Sequence, residues 1–315
     1  LYGQGEPPRL FPSDDHGGRR PDRRNRGAAL SPRTVARADV CASFDQRTWQ
    51  LKVERRMNPR SRVNYDEIAP TYDRRFEGGD MPGVADALQE LARNIGAKRI
   101  LEVGCGTGRW LAELCPLTDD IYGLDVSAGM LSKARERDER LRLVRGRAGR
   151  LPFVTGVFDL LYCVNAIHHF DEKRAFVLEA RRLLRPGGAL AVIGMDPHGR
   201  REGYYLYRYF AGTYENDLNR FPSWGTVLDW MTAAGFRKAT WTVAEHIVDP
   251  KFGREVLEDP FLEKNATSQL VLLTDEAYAE GLRRIQSAVK AGEAAGEQEI
   301  FAVDIPIGMV VGRLP

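Results

Sequence analysis

Apolar positions fall into short runs separated by helical spacings, and this regularity begins near Met57. Strand-like runs occupy 99–103, 120–125, 141–145, 158–165 and 189–194. Between them helical spacing recurs at 109–115, 128–140, 172–184 and 224–234. Two helices are predicted ahead of the first strand, 64–76 (interrupted by Pro70) and 82–95. An arginine-rich last turn and the "PGG" from 186 stop the helix 172–184. Further strands near 238–248 and 299–312 bring the set to seven. The alternation predicts a Rossmann-like, doubly wound α/β fold: a seven-stranded, mostly parallel sheet with helices on both faces.

Composition refines the picture in three places. The 315 residues suffice for a full core, and the formal net charge of +2 does not demand a polyanionic partner. No stretch of eighteen apolar residues predicts a membrane span. Cys41, Cys105, Cys115 and Cys163 show no paired spacing, so free thiols in a reducing cytoplasm are expected. Residues 1–56 are rich in arginine, proline and glycine and lack apolar periodicity. They are expected to be a disordered extension, dispensable or foreign to the natural protein, with the folded domain over 57–315. A basic arm that touches RNA is the sharper alternative, disfavoured because the arginine cluster has few aromatic residues for stacking.

The first strand ends in "LEVGCGTG", where Gly104, Gly106 and Gly108 precede a helix opening with Trp110, Leu111 and Leu114. Glycines at a strand–turn–helix junction let a ligand approach the main chain. Asp125 ends the second strand about twenty residues on, where a carboxylate can accept both hydroxyls of a ribose. A dinucleotide fingerprint would need glycine or alanine at position 109, which is arginine here, and no P-loop follows. The remaining pattern, E-x-G-x-G-x-G with Glu102 before the turn, would repel a pyrophosphate and suits an ammonium or sulfonium. S-adenosyl-L-methionine carries both.

These segments resemble the class I S-adenosylmethionine-dependent methyltransferases, especially the small-molecule group akin to quinone-biosynthesis enzymes. The resemblance covers roughly 65–248 and rests on five ordered segments: "LEVGCGTG", "GLDVSAGML", "RGRAGRLPF", "FDLLYCVNAIHHF" and "EARRLLRPGGALAVIG". It implies that Glu102, Gly104, Cys105, Gly106, Gly108 and the backbone at Cys163 surround the methionine end, with His168 nearby. Asp125 would hold the ribose, and Val126, Met130 and Ala148 the adenine, while Tyr65 and Tyr72 close over the cofactor. In one departure, Arg147 stands where the family usually has an acid for the adenine amine.

Methyl transfer needs a base only when the acceptor is protonated. Candidates are His168 and His169 after the fourth strand, and Asp196 and His198 after the fifth. A structural pair is the blander reading of the two histidines, and a capped turn that of Asp196 and His198. Tyr204, Tyr205, Tyr207, Tyr209, Phe210 and Tyr214 are expected to form an aromatic lid within 196–223, with Arg208 shaping substrate choice. A helical insertion is predicted at 249–298, where Leu282, Ile285 and Val289 share a helix face that could meet the sheet, the pocket or a second subunit of a homodimer. The expected function is methyl transfer to a small organic acceptor. The alternatives are an RNA methyltransferase and a non-catalytic, cofactor-binding partner subunit.

Overall fold

Continuous apolar runs make the centre of the sheet. The computed structural model describes residues 63–76 and 81–315; the arginine-rich extension, with Cys41 and Met57, lies outside them. The strands are β1 (Arg99–Val103), β2 (Asp120–Asp125), β3 (Arg142–Arg145), β4 (Phe158–Val164), β5 (Leu184–Met195), β6 (Arg237–Val248), β7 (Lys251–Phe252), β8 (Ile300–Phe301) and β9 (Asp304–Arg313). Seven of them form one sheet in the order β3–β2–β1–β4–β5–β9–β6. The first five in this order run parallel, and β9 lies antiparallel between β5 and β6. β1 is flanked by β2 on one side and β4 on the other, and at such a reversal of strand order open α/β sheets leave a crevice at the carboxyl ends.

Successive side chains of a strand point to opposite faces, and the burial follows that rule. Leu101, Leu161, Cys163, Leu190 and Val192 enter one core, while Ile100, Leu160, Tyr162, Ala191 and Ile193 enter another. The first is covered by α5 (Lys173–Leu183), through Phe176 and Ala180, and by α8 (Trp224–Ala233), through Val227 and Met231. The second is covered by α2 (Pro82–Asn94), whose Val84, Leu88 and Leu91 recur at helical spacing, and by α3 (Arg109–Leu114). α4 (Ala128–Arg137) follows β2 and starts at Ser127, whose hydroxyl accepts from the Met130 amide at 3.0 Å.

Two elements depart from expectation. The 64–76 segment is α1 (Tyr65–Ile68) followed by a separate 3₁₀ turn, Tyr72–Phe76, since Pro70 has no N–H to carry the helix on. The last strand is divided into β8 and β9. Between them Val303 accepts from the Asp249 amide at 2.9 Å, the next step of the β6–β9 ladder, and Ala302 accepts from the Tyr205 amide at 2.8 Å, outside that ladder. β8 pairs instead with β7.

A third core sits beside the sheet. It joins α6 (Tyr205–Tyr209) to the segment between β6 and β9, which contains α9 (Ser268–Val271) and α10 (Asp275–Ala295). Ile285 and Val289 of α10 pack with Leu206, Phe210 and Phe301, so this helix face meets the aromatic segment. Gly281 marks the closest approach, since a Cβ there would stand 2.1 Å from the Phe210 ring.

Candidate active site

The glycine turn after β1 lies in the crevice. The Gly104 and Cys105 amides both donate to Leu124 O, at 2.7 and 3.1 Å, tying the turn to the end of β2. Gly104 has φ +76°, and an added Cβ would lie 2.6 Å from the Ala166 methyl. Gly106 has φ +51° and nothing within 4 Å of where a Cβ would be, so its bare face looks onto open space. Its amide donates to Asp125 Oδ2 at 2.9 Å, while the Ser127 amide donates to Oδ1 at 2.9 Å. Asp125 therefore clamps the first two crossovers together. A carboxylate has about four acceptor sites, so acceptor capacity remains for a ligand. The cap of α4 itself is made by Ser127.

Glu102 lies under this turn and is 0% exposed. Its Oε2 accepts from the Tyr162 hydroxyl at 3.3 Å, and its Oε1 is buried with no hydrogen-bond partner. Burial pushes its carboxyl well above the usual range, against the opposing pull of the Tyr162 hydroxyl. A buried acid with an unmatched oxygen at a cavity wall is a place for a cation. Burial likewise raises the Cys105 and Cys163 thiols, which keeps them protonated and unsuited to nucleophilic attack.

Two adjoining cavities open from the turn, sharing Gly104, Gly106, Asn165 and His169. The larger, about 930 Å³, is lined by Asp125, Val126, Met130 and Ala148. The other, about 540 Å³, takes in Glu102, Cys105, His168 and the far wall from Met195 to Ile307. Tyr65 and Tyr72 line both, and the Tyr65 hydroxyl lies 2.6 Å from His169 Nε2. Two aspartates pin this N-terminal flap to the cradle. Asp66 Oδ1 accepts from the Ser127 hydroxyl at 2.6 Å and the Gly129 amide at 2.8 Å; Asp73 accepts from Thr107 at 2.7 Å and Arg137 at 2.6 Å.

The remaining candidates divide. Gly108, at φ +75°, starts α3 and lines neither cavity. Cys163 also lines neither: its side chain enters the core, and the strand offers its next residues, Val164 and Asn165, to the site. Asp196 and His198 lie outside both cavities as well. Asp196 Oδ1 takes the His198 amide at 2.9 Å and faces its ring at 2.8 Å, and Oδ2 takes the first amide of α8 at 2.8 Å. This is a turn that caps a helix. His168 stacks on Phe221 at 3.9 Å and His169 tilts against it, so the pair forms a shelf at the junction.

In the aromatic segment, Tyr204 lines the smaller cavity, whereas Tyr205, Tyr207, Tyr209 and Phe210 fill the third core. Arg208 pairs with Glu299 at 2.9 Å, away from both cavities. Residues that sequence reasoning missed come from the segment after β6, among them Asp249, Lys251, Asp259 and Gln269. Asn165, at φ +47°, was missed too; "CVNA" carries no signal for it beyond an asparagine, a residue that tolerates that angle. Asp171 also lines the larger cavity and accepts from Arg147 at 2.8 Å.

Fold and cradle define an open α/β domain with a crevice at its switch point. A methyltransferase-domain family matches residues 101–192. The demethylmenaquinone methyltransferase of Anoxybacillus flavithermus is 30% identical over 177 residues, 48% of this chain and 74% of that protein. The enzyme of the same name from Beutenbergia cavernae is 30% identical over 156 residues, 47% of this chain and 65% of that protein. The malonyl-[acyl-carrier protein] O-methyltransferase of Legionella pneumophila is 29% identical, over 55% of this chain and 57% of that protein. The last two matches thus span less than two thirds of those enzymes. Among solved structures, the YcgJ protein of Bacillus subtilis superposes with a TM-score of 0.53 at 18% identity, covering 73% of this chain and 97% of that one. A SAM-dependent methyltransferase of Thermotoga maritima gives 0.50 at 20%, covering 80% and 98%. The chain belongs to the class I S-adenosylmethionine-dependent methyltransferases, in the group similar to the demethylmenaquinone enzymes. No helix among the described residues is long and apolar enough to cross a membrane.

Proposed function

We propose that the chain transfers a methyl group from S-adenosyl-L-methionine to a small organic acceptor. The observation that carries this reading is Glu102, a fully buried acid with an unmatched oxygen, beside a glycine turn clamped by Asp125. In this reading Glu102 faces the ammonium of the cofactor, Asp125 its ribose, and Val126, Met130 and Ala148 its adenine. Asp171, held by Arg147, supplies near the adenine the carboxylate that position 147 lacks. When bound, the cofactor supplies a methyl group already activated on a sulfonium.

The chain's own part is alignment and water exclusion. Tyr65 and Tyr72 cover the junction, and Asp66 and Asp73 hold them there. His169 lines both cavities, so we assign it the proton of a hydroxyl or amine acceptor, a role worth roughly 10²- to 10⁴-fold in rate. The turn geometry of Asp196 and His198 supports a structural duty instead. The buried, protonated thiols of Cys105, Cys115 and Cys163 agree with residence in a reducing cytoplasm. The test is incubation of the full chain with methyl-labelled S-adenosylmethionine and a panel of phenols, amines and carboxylic acids. Label in an organic product together with S-adenosylhomocysteine supports the reading, and cofactor binding without turnover of any acceptor class would favour a partner-subunit role.

A further inference from the structure

The wall of the smaller cavity remote from the glycine turn is built mainly of hydrogen-bond acceptors. Asp217, 0% exposed, takes the Tyr207 hydroxyl at 2.8 Å, Arg220 Nη2 at 2.6 Å and Gln269 Nε2 at 2.6 Å. An ionised carboxylate can only accept, so Gln269 must turn its amino end to Asp217, leaving its carbonyl oxygen for the cavity it lines. A buried aspartate thus sets the polarity of a cavity-lining amide. The same wall carries three carboxylates, Glu245, Asp249 and Asp259. Asp259 already holds the Tyr205 hydroxyl at 2.7 Å and the Phe261 amide at 2.9 Å, which gives it a firm position. Lys251 donates to Asp249 at 2.6 Å, so these two charges offset each other and Glu245 and Asp259 set the sign of the wall, while the other cation of the cavity, Arg109, lies back beside the glycine turn. Ser268 accepts from Arg220 at 3.0 Å and keeps its own hydrogen as a donor. Between wall and turn, the stacked His168 and Phe221 with Ile247, Ile305 and Ile307 form flat apolar sides.

We propose that this site selects a neutral or cationic aromatic acceptor with a hydroxyl or amine at the end remote from the methyl-receiving atom, and that it rejects acceptors with a carboxylate there. This rests on the methyltransferase reading above. Gln269 Oε1 and Asp259 receive the remote donor, and Asp217 acts as the positioning residue behind Gln269. A carboxylate tail would meet like charges and an acceptor-only amide.

The experiment uses the full chain saturated with S-adenosylhomocysteine, whose own binding is measured first. Four phenols with a two-carbon para substituent are then titrated: tyramine, tyrosol, 4-ethylphenol and 4-hydroxyphenylacetate. Tyramine and tyrosol should bind at least about tenfold more tightly than the carboxylate. Gln269→Leu should bring tyrosol down to the level of 4-ethylphenol while leaving 4-ethylphenol unchanged. Should Gln269→Leu fail to fold, Gln269→Met, which fills similar space without an acceptor amide, serves in its place with the same expected outcome. Equal or stronger binding of 4-hydroxyphenylacetate overturns the proposal, as does a chain that binds S-adenosylhomocysteine but none of the phenols. Failure to bind S-adenosylhomocysteine in the first step would instead sink the methyltransferase reading on which it rests.

Discussion

Glu102→Gln should weaken ligand binding and strengthen the empty protein at once. In the unliganded fold Glu102 Oε1 is buried without a partner, and leaving such a group unmatched costs about 1–3 kcal/mol or more when charged. At alkaline pH, where the empty site is forced to hold a charge, a neutral amide removes it. The folded state therefore gains up to about that amount, at roughly 2–4 °C in Tm for each kcal/mol. Binding moves the other way. A charge-assisted hydrogen bond to a ligand ammonium is worth about 1.5–3 kcal/mol, so the affinity for S-adenosylhomocysteine should fall roughly 10- to 150-fold. The pH dependence has a definite sign. Burial raises the folded carboxyl above its unfolded value, so the folded state favours the protonated form. The stability Glu102 contributes is full below the unfolded value of about 4.3 and is lost as pH rises toward the folded value. The stability advantage of Glu102→Gln should thus grow as pH rises and vanish toward about pH 4. Thermal melts across pH, paired with calorimetric titrations, read both effects. An unchanged affinity, or a loss of stability at high pH, would refute the reasoning.

Asp125→Ala removes the acceptor of the Gly106 and Ser127 amides along with that of a ribose, and should cost S-adenosylhomocysteine binding about two powers of ten by calorimetry; no change would remove the ribose assignment. Asp66→Ala should speed hydrogen exchange over 63–76 with a Tm change of about 2 °C or less, since the latch joins the flap only to the first turn of α4 and touches none of the three cores of the sheet and its flank. Hydrogen bonds from Ser127 and Gly129 outweigh burial and hold the Asp66 carboxyl below its usual value. The latch is therefore intact above an unfolded carboxyl value of about 3.9 and released as pH falls through the folded one, where the same exchange should quicken in the wild type. Gly281→Ala gains about 1 kcal/mol of helix propensity but drives a methyl into the Phe210 ring at 2.1 Å. Overpacking of about 1–3 kcal/mol should win, and a raised melting temperature would show that the third core yields easily.

Sequence reading reached the sheet and the cradle because both are local. Parallel strands covered on two faces are written as unbroken apolar runs, so β1 and β2 have the predicted bounds. The glycine turn, Glu102 and Asp125 occupy one crossover and the end of the next strand, and their spacing reads directly. The far wall is a product of tertiary folding. Gln269, Asp259 and Lys251 line one cavity with His168 from 83 to 101 positions further along the chain, and nothing in their immediate neighbours marks a pocket. The aromatic segment is legible in the sequence as a cluster, but its packing partner is not. Ile285 and Val289 were visible as a helix face, yet only the fold shows that Phe210 and Leu206 cover it. At Cys163 the expectation concerned the backbone; its side chain turns into the core, and the next residues, Val164 and Asn165, line the crevice. Asp196 and His198 carried a turn signal and a chemical signal in the same residues, and the hydrogen bonds of Asp196 give it the duty of a turn.

The most direct measurement is a calorimetric titration of the full chain with S-adenosylhomocysteine, run in two buffers of different ionisation heat, with NADH as the control ligand. The cradle predicts saturable one-site binding of S-adenosylhomocysteine accompanied by proton release, as Glu102 ionises against the incoming ammonium, and no binding of the pyrophosphate-bearing control. Absence of heat with S-adenosylhomocysteine, or preference for NADH, would contradict it.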